Sequence, residues 1–260
     1  MLTKLRSPGA LPALLFAALL VASVHGAAGA QPDDPALAAV MQKYADAIGG
    51  EKLLSSITSV QSVYSSTLFG RAVTVTTIAK APASFVQRVQ VEGTPLVMMI
   101  GFDGKTAWTK AISGAVQTLS GSKRADVIDE AAGMNNSEII PQRWPTQVKL
   151  KADETVDGKL YHVVEISPQG GSAHDLLLDS QTYLPVMSRQ YEGDVKLLDV
   201  VKNFAKGPLG ETTGAVIVST RSDGSVPAVT STLLSTRDNI QVNDAIFAPP
   251  IPTNAPTTNT

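Results

Sequence analysis

Residues 173–190 read AHDLLLDSQTYLPVMSRQ. Leu176, Leu177 and Leu178 form a short apolar run, Asp179, Ser180 and Gln181 form a polar turn, and residues 182–190 resume in β-type residues. Two such runs joined by a turn predict a β-hairpin. Pro185 has no N–H to give a ladder, so it belongs at a strand start, an edge or a bulge.

The same pattern repeats on both sides of this hairpin. Upstream, period-two segments predict strands near 58–69, 71–80, 84–92, 96–102, 105–112, 115–119, 146–152 and 159–168. Downstream they fall near 195–203, 214–221 and 226–236. Turn residues separate them, among them Asp103-Gly104, Asp157-Gly158 and Asp223-Gly224. Asp-Gly suits a type I′ turn, whose central residues both need positive φ. The expected fold is mainly β: a curved antiparallel sheet, meandering and either curled or closed.

Two helices interrupt the strands. Asp34 before Pro35 is an N-cap followed by proline in the first turn. Leu37, Val40, Met41, Tyr44 and Ile48 then share one helical face, and Gly49-Gly50 ends it. Residues 123–134, KRADVIDEAAGM, predict the second helix, with Val127, Ile128 and Ala131 as its apolar side. Between strands of a curved sheet, such a helix lies on one face, as a core plug or as a movable lid.

Several strands lack the clean alternation of a sheet with one wet face. Residues 96–100 read LVMMI, and Leu197-Leu198-Asp199-Val200-Val201 is nearly as apolar. Both faces of these strands must be covered, or one must line a hollow. A plain sandwich core and a curved sheet around a cavity both satisfy this. Met98 and Met99 suit an adaptable apolar surface.

The ends are different in kind. Lys4 and Arg6, an apolar run over 11–24 and Ala28-Gly29-Ala30 predict a secretory signal peptide over 1–30. Thirty residues taken from 260 leave 230, enough for a single domain over 31–250. Residues 251–260 are rich in Pro, Thr and Asn and read as a disordered tail. Without Lys4 and Arg6, 19 basic residues face 23 acidic ones, which argues against a nucleic-acid surface. The chain has no Cys, so disulfides and thiolate chemistry are excluded.

Five pieces, in order, resemble the LolA/LolB-like superfamily, and most closely its exported outer-membrane lipoprotein-sorting-protein-like homologues. They are residues 44–53 (YADAIGGEKL), 102–108 (FDGKTAW), 156–161 (VDGKLY), 178–186 (LDSQTYLPV) and 243–247 (NDAIF). The resemblance implies an unclosed half-barrel with helices over its mouth. It also implies a periplasmic protein holding a lipid, a lipoprotein acyl chain or another apolar ligand without catalysis. Arg71 and Arg88 are the candidate counterparts of the arginine that closes the carrier's lid. An envelope protein as partner is the alternative that the same resemblance carries.

The sequence offers little catalytic chemistry. Zinc catalysis usually needs three protein ligands, and after residue 30 only His162 and His174 remain. They could meet an acid across a hairpin, which is the basis of a hydrolase reading. There is no G-x-S-x-G elbow, no phosphate-binding glycine loop and no calcium loop. No metal or other cofactor is expected. The expected ligand-cavity residues are Val73, Val75, Phe85, Val89, Met98, Ile100, Trp108, Val127 and Ile128, taken as a group. Trp144 belongs to the core or to a cavity mouth.

Overall fold

The computed structural model describes residues 34–68 and 70–251. The expected signal peptide, and all but Ile251 of the expected tail, lie outside the described residues. Helices α1 (Pro35–Ile48) and α2 (Glu51–Ser56) come first. Asp34 caps α1 by accepting from the N–H groups of Ala36 and Leu37. Gly49, at φ 137°, ends it in a conformation that side chains resist.

Six strands then follow: β1 (Ser59–Leu68), β2 (Arg71–Lys80), β3 (Ser84–Val91), β4 (Val97–Phe102), β5 (Ala107–Lys110) and β6 (Val116–Thr118). Helix α3 (Gly121–Met134) separates them from β7 (Thr146–Leu150), β8 (Glu154–Val156), β9 (Lys159–Pro168) and β10 (His174–Asp179). The last strands are β11 (Pro185–Glu192), β12 (Val195–Lys206), β13 (Thr212–Arg221) and β14 (Val229–Asp238), and a 3₁₀ turn over Asp244–Ile246 follows.

All the strands belong to one sheet, in the order β6-β5-β4-β3-β2-β1-β14-β13-β12-β11-β10-β9-β7, with β8 beside β9. Every pairing is antiparallel. The chain runs outward from β1 to the β6 edge, crosses to the β7 edge and returns to β14, which pairs with β1. Edges β6 and β7 stay unpaired with each other, so the sheet is open. The crossing segment contains α3, and α3 packs on β3, β4 and β5 from one half and on β9 from the other. Connectivity therefore lays the helix across the concave face.

The hairpin at 173–190 forms, with a correction at its turn. Asp179 accepts from the N–H groups of Gln181 and Thr182 and from the Thr182 hydroxyl. Tyr183 takes φ 58°, and pairing resumes only at Pro185, beside a register shift at Leu177/Leu178. The carboxylate holds three donors of the turn and so lengthens it by three residues. Strand β8 has no counterpart among the expected strands. It is three residues long, and Arg189 holds it from β11 by a forked pair to Glu154 at 2.7 and 2.8 Å. Of the Asp-Gly turns, only Asp157-Gly158 has positive φ at both residues. At Asp103-Gly104 the aspartate instead accepts from the N–H groups of Lys105 and Thr106.

Both faces are covered around β4, as the LVMMI run requires, whereas β12, β13 and β14 stay mostly half-buried or exposed. On the concave face α1 places Leu37, Val40, Tyr44 and Ile48 against Val148, Val164, Ile166 and Leu178. On the convex face the closing segment presses Phe247 against Val86 and Trp108, with Met99 and Val242 beside them. Phe247 is buried, whereas the adjacent Ile246 is exposed. The turn lets only one of the two adjacent side chains face the sheet.

Candidate functional site

Between α3 and the concave face lies a cleft of about 260 Å³. Its sheet side comes from β1, β2 and β3 on one flank and β12, β13 and β14 on the other; Glu130 and Met134 of α3 form its roof. Tyr64, Val75, Leu197, Ile217, Val226, Pro227 and Val229 give it an apolar wall. A second hollow of about 210 Å³ adjoins it, and Ser62, Met134 and Thr213 wall both.

The nine expected cavity residues are distributed over three places. Phe85, Ile100, Val127 and Ile128 pack into one closed cluster with Phe102 and Ala131. Val73, Val75, Val89 and Met98 form an apolar patch on the same face, with Tyr64 beside it. Val75 alone of the nine lines the cleft. Trp108 points the other way, because it pairs with Gly101 on the convex face and donates from Nε1 to the Phe247 carbonyl at 2.7 Å. Strand alternation sends Trp108 and Ala107 to opposite faces. Trp144 meets Phe102 edge-to-face at 5.7 Å and belongs with the core.

The polar wall of the cleft was not among the sequence expectations. Glu130 is half-buried and borders its space. Burial pushes its carboxyl up to about 7; Asp129 and Asp199 add to the rise and His174 opposes it. Burial likewise holds Asp199 at about 6, against the hydrogen bond from Ser219. One Asp199 oxygen and the Gln87 carbonyl oxygen have no donor. The signal for Asp199 was a lone acid in the otherwise apolar LLDVV run. The signal for α3 was Asp126, Asp129 and Glu130 at i, i+3 and i+4, an acidic stripe beside the apolar one.

That stripe faces inward. Asp126 accepts from the Ser172 hydroxyl at 2.8 Å, and burial raises its carboxyl to about 7 despite that bond. Asp129 and the His174 ring are 3.1 Å apart. Burial opposes the charged form of His174, but the Asp129 charge and hydrogen bond outweigh it, so its pKa rises. His162 instead bonds Asp153 at 3.0 Å and stacks on Tyr183. In the β9–β10 register His174 pairs with Ile166 and His162 with Leu178. That is four residues apart along a strand, about 13 Å at a rise of about 3.3 Å per residue. The two histidines do not form one catalytic group, and no cluster suited to a metal occurs among the described residues.

Arg88 donates to Gln90, and Arg71 stands exposed at the start of β2. The arginine that holds the helices is Arg143. It donates to the carbonyls of Leu54, Ser55 and Ile57 at the C-terminal end of α2 and to that of Asn135 at the end of α3, at 2.7–3.1 Å. Replacing Arg143 by alanine is expected to cost about 1.5 kcal/mol, the worth of a charge-assisted bond on a site that water partly reaches. Lysine should restore less than half, because an ammonium has no fork. Urea denaturation of the three proteins checks this; equal midpoints for arginine and alanine would refute it.

No family model matches the chain, and no curated protein matches it in sequence. Solved structures do match it in shape. A LolA superfamily protein from Nitrosomonas europaea aligns with a TM-score of 0.57 at 16% identity, over 82% of this chain and 97% of that one. A putative outer membrane lipoprotein-sorting protein domain from Vibrio parahaemolyticus aligns at 0.53 and 10% identity, over 80% and 94%. A DUF1329 family protein from Desulfovibrio piger aligns at 0.52 and 14% identity, over 82% and 97%. The shape of the open antiparallel sheet with its helices is thus shared with these proteins at the level of the fold, and the fold of this chain is LolA-like.

Proposed function

We propose that this chain is an exported, non-catalytic binding protein that holds an apolar or amphipathic ligand, such as a lipid or a lipoprotein acyl chain, in the concave-face cleft. The observation that carries this reading is the cleft itself, roofed by α3 and walled by Tyr64, Val75, Leu197 and Ile217. Its volume is just below the usual range for ligand pockets, about 300–1,000 Å³, and suits one chain rather than several. Burying that chain would contribute about 0.8 kcal/mol per CH₂. The Vibrio relative in shape is described as a putative lipoprotein-sorting domain, which agrees with this reading. Among the described residues no helix is long and apolar enough to cross a membrane.

Native mass spectrometry with added fatty alcohol or phospholipid tests the proposal. Uptake of one ligand per chain is expected. Ile217→Glu places a charge on the apolar wall and should weaken that uptake by about tenfold or more, since a buried unpaired charge costs several kcal/mol. A clean unliganded mass with every lipid offered would overturn the binding reading and favour an envelope protein as the partner.

A further inference from the structure

The apolar wall of the cleft can hold a chain, and its polar side specifies what that chain must carry. Gln87 is nine-tenths buried and lines the cleft; its amide donates to Thr77 at 3.4 Å, but its carbonyl oxygen receives nothing. Asp199, across the cleft on β12, has one oxygen in the same condition. Glu130, half-buried on the roof, faces the same space. Acceptors therefore come from three separate elements, β3, β12 and α3, and on two of them, Gln87 and Asp199, a buried oxygen lacks a donor.

The nearby cations do not fill that need. Arg221 also lines the cleft, but its guanidinium is committed to Glu192 at 2.9 Å and Asp223 at 3.2 Å. His174 is committed to Asp129. A buried acceptor without a donor costs about 1–3 kcal/mol, so the site favours a ligand that brings donors. A protonated amine has three donors and no acceptor, a hydroxyl has one donor, and a carboxylate has none.

On the binding reading above, we infer that the cleft takes an amphiphile whose apolar chain ends in a protonated amine, its N–H groups donating to Glu130, Asp199 and Gln87. Amphiphiles headed by carboxylate or phosphate bind more weakly, because they add acceptors and negative charge to a wall that already has both. Above pH 7 Glu130 and Asp199 are largely ionised, so the preference is read most clearly there.

Isothermal titration at pH 8 with decylamine, decanol and decanoate makes the test. Decylamine is expected to bind at least about tenfold more tightly than decanoate, with decanol between them. Glu130→Gln should remove most of the advantage of decylamine over decanol. Decanoate binding as tightly as decylamine would overturn the head-group inference and leave the binding reading intact. So would an amine preference that Glu130→Gln does not change, since it would then arise from the acidic surface. Failure of all three compounds to bind would overturn both.

Discussion

Replacing Phe247 by alanine will destabilise the protein by about 3–5 kcal/mol, the usual cost of truncating a fully buried aromatic side chain. Phe247 is 1% exposed and its backbone carbonyl receives the Trp108 indole N–H at 2.7 Å. Trp108 itself is fully buried over Gly101, where a Cβ would lie 2.5 Å from the indole. Trp108, Phe247 and Val86 therefore interlock three parts of the chain on the convex face. Without the Phe247 ring, Trp108 loses its cover and β3, β4 and β5 expose apolar surface to water. Ile246→Ala is the control, expected within about 0.5 kcal/mol because that side chain is 37% exposed. Urea denaturation followed by circular dichroism measures both. A Phe247→Ala midpoint matching that of Ile246→Ala would show that the closing segment is not part of the core.

Glu130→Gln will stabilise the protein at pH 8 and leave it nearly unchanged at pH 5. Glu130 has a folded pKa of about 7 against 4.5 for a free side chain. Between these values the folded state binds more protons than the unfolded state, so stability falls as pH rises through that interval. Asp126 at about 7, and Asp199 and Asp238 at about 6, act in the same direction. His174 does too, because a raised histidine pKa contributes stability below its unfolded value and loses it as pH rises. At about 1.4 kcal/mol per pKa unit, the Glu130 shift sets a ceiling of about 3 kcal/mol. Solvent in the cleft screens part of this, so the expected gain is about 2 kcal/mol, or about 4–8 °C in Tm for a chain of this size. Thermal melts of both proteins at pH 5 and pH 8 provide the check. A wild-type Tm that does not fall from pH 5 to pH 8, or a variant with the same pH slope, would refute it.

The carboxylates with lowered pKa values work on the acid side. Asp179, held by the Thr182 N–H and by the turn around it, and Glu154, held by Arg189, both favour the ionised form. Their contribution is lost only as pH falls through their depressed values. Stability is therefore expected to peak in the mildly acidic range.

The strands and their turns were legible because their causes are local. Period-two alternation, Asp-Gly turns and the Pro35 and Gly49 helix boundaries act within a few residues, and α3 starts two residues before the expected 123. The half-barrel was legible only through the resemblance of five short pieces. Strand β8, whose three residues are held by Arg189 from another strand, had no such local signal.

The site was less legible for the same physical reason. Apolar strand residues read alike whether they fill a core or line a hollow. Val75 lines the cleft while Phe85, also at the end of a cross-strand pair on the same sheet, lies in a closed cluster. Glu130 and Asp129 look like the wet side of a helix until the β6-to-β7 crossing places that helix between two halves of a sheet.

From its residues alone this chain determined that it is an antiparallel β protein with two principal helices, covered strands and no thiol chemistry. Only the tertiary structure decided that β14 closes back on β1, that Trp108 faces outward to Phe247, and that an acidic roof stands over an apolar cleft. Those features depend on residues far apart in sequence meeting across the sheet, and alternation along one strand carries no information about which strand will be its neighbour.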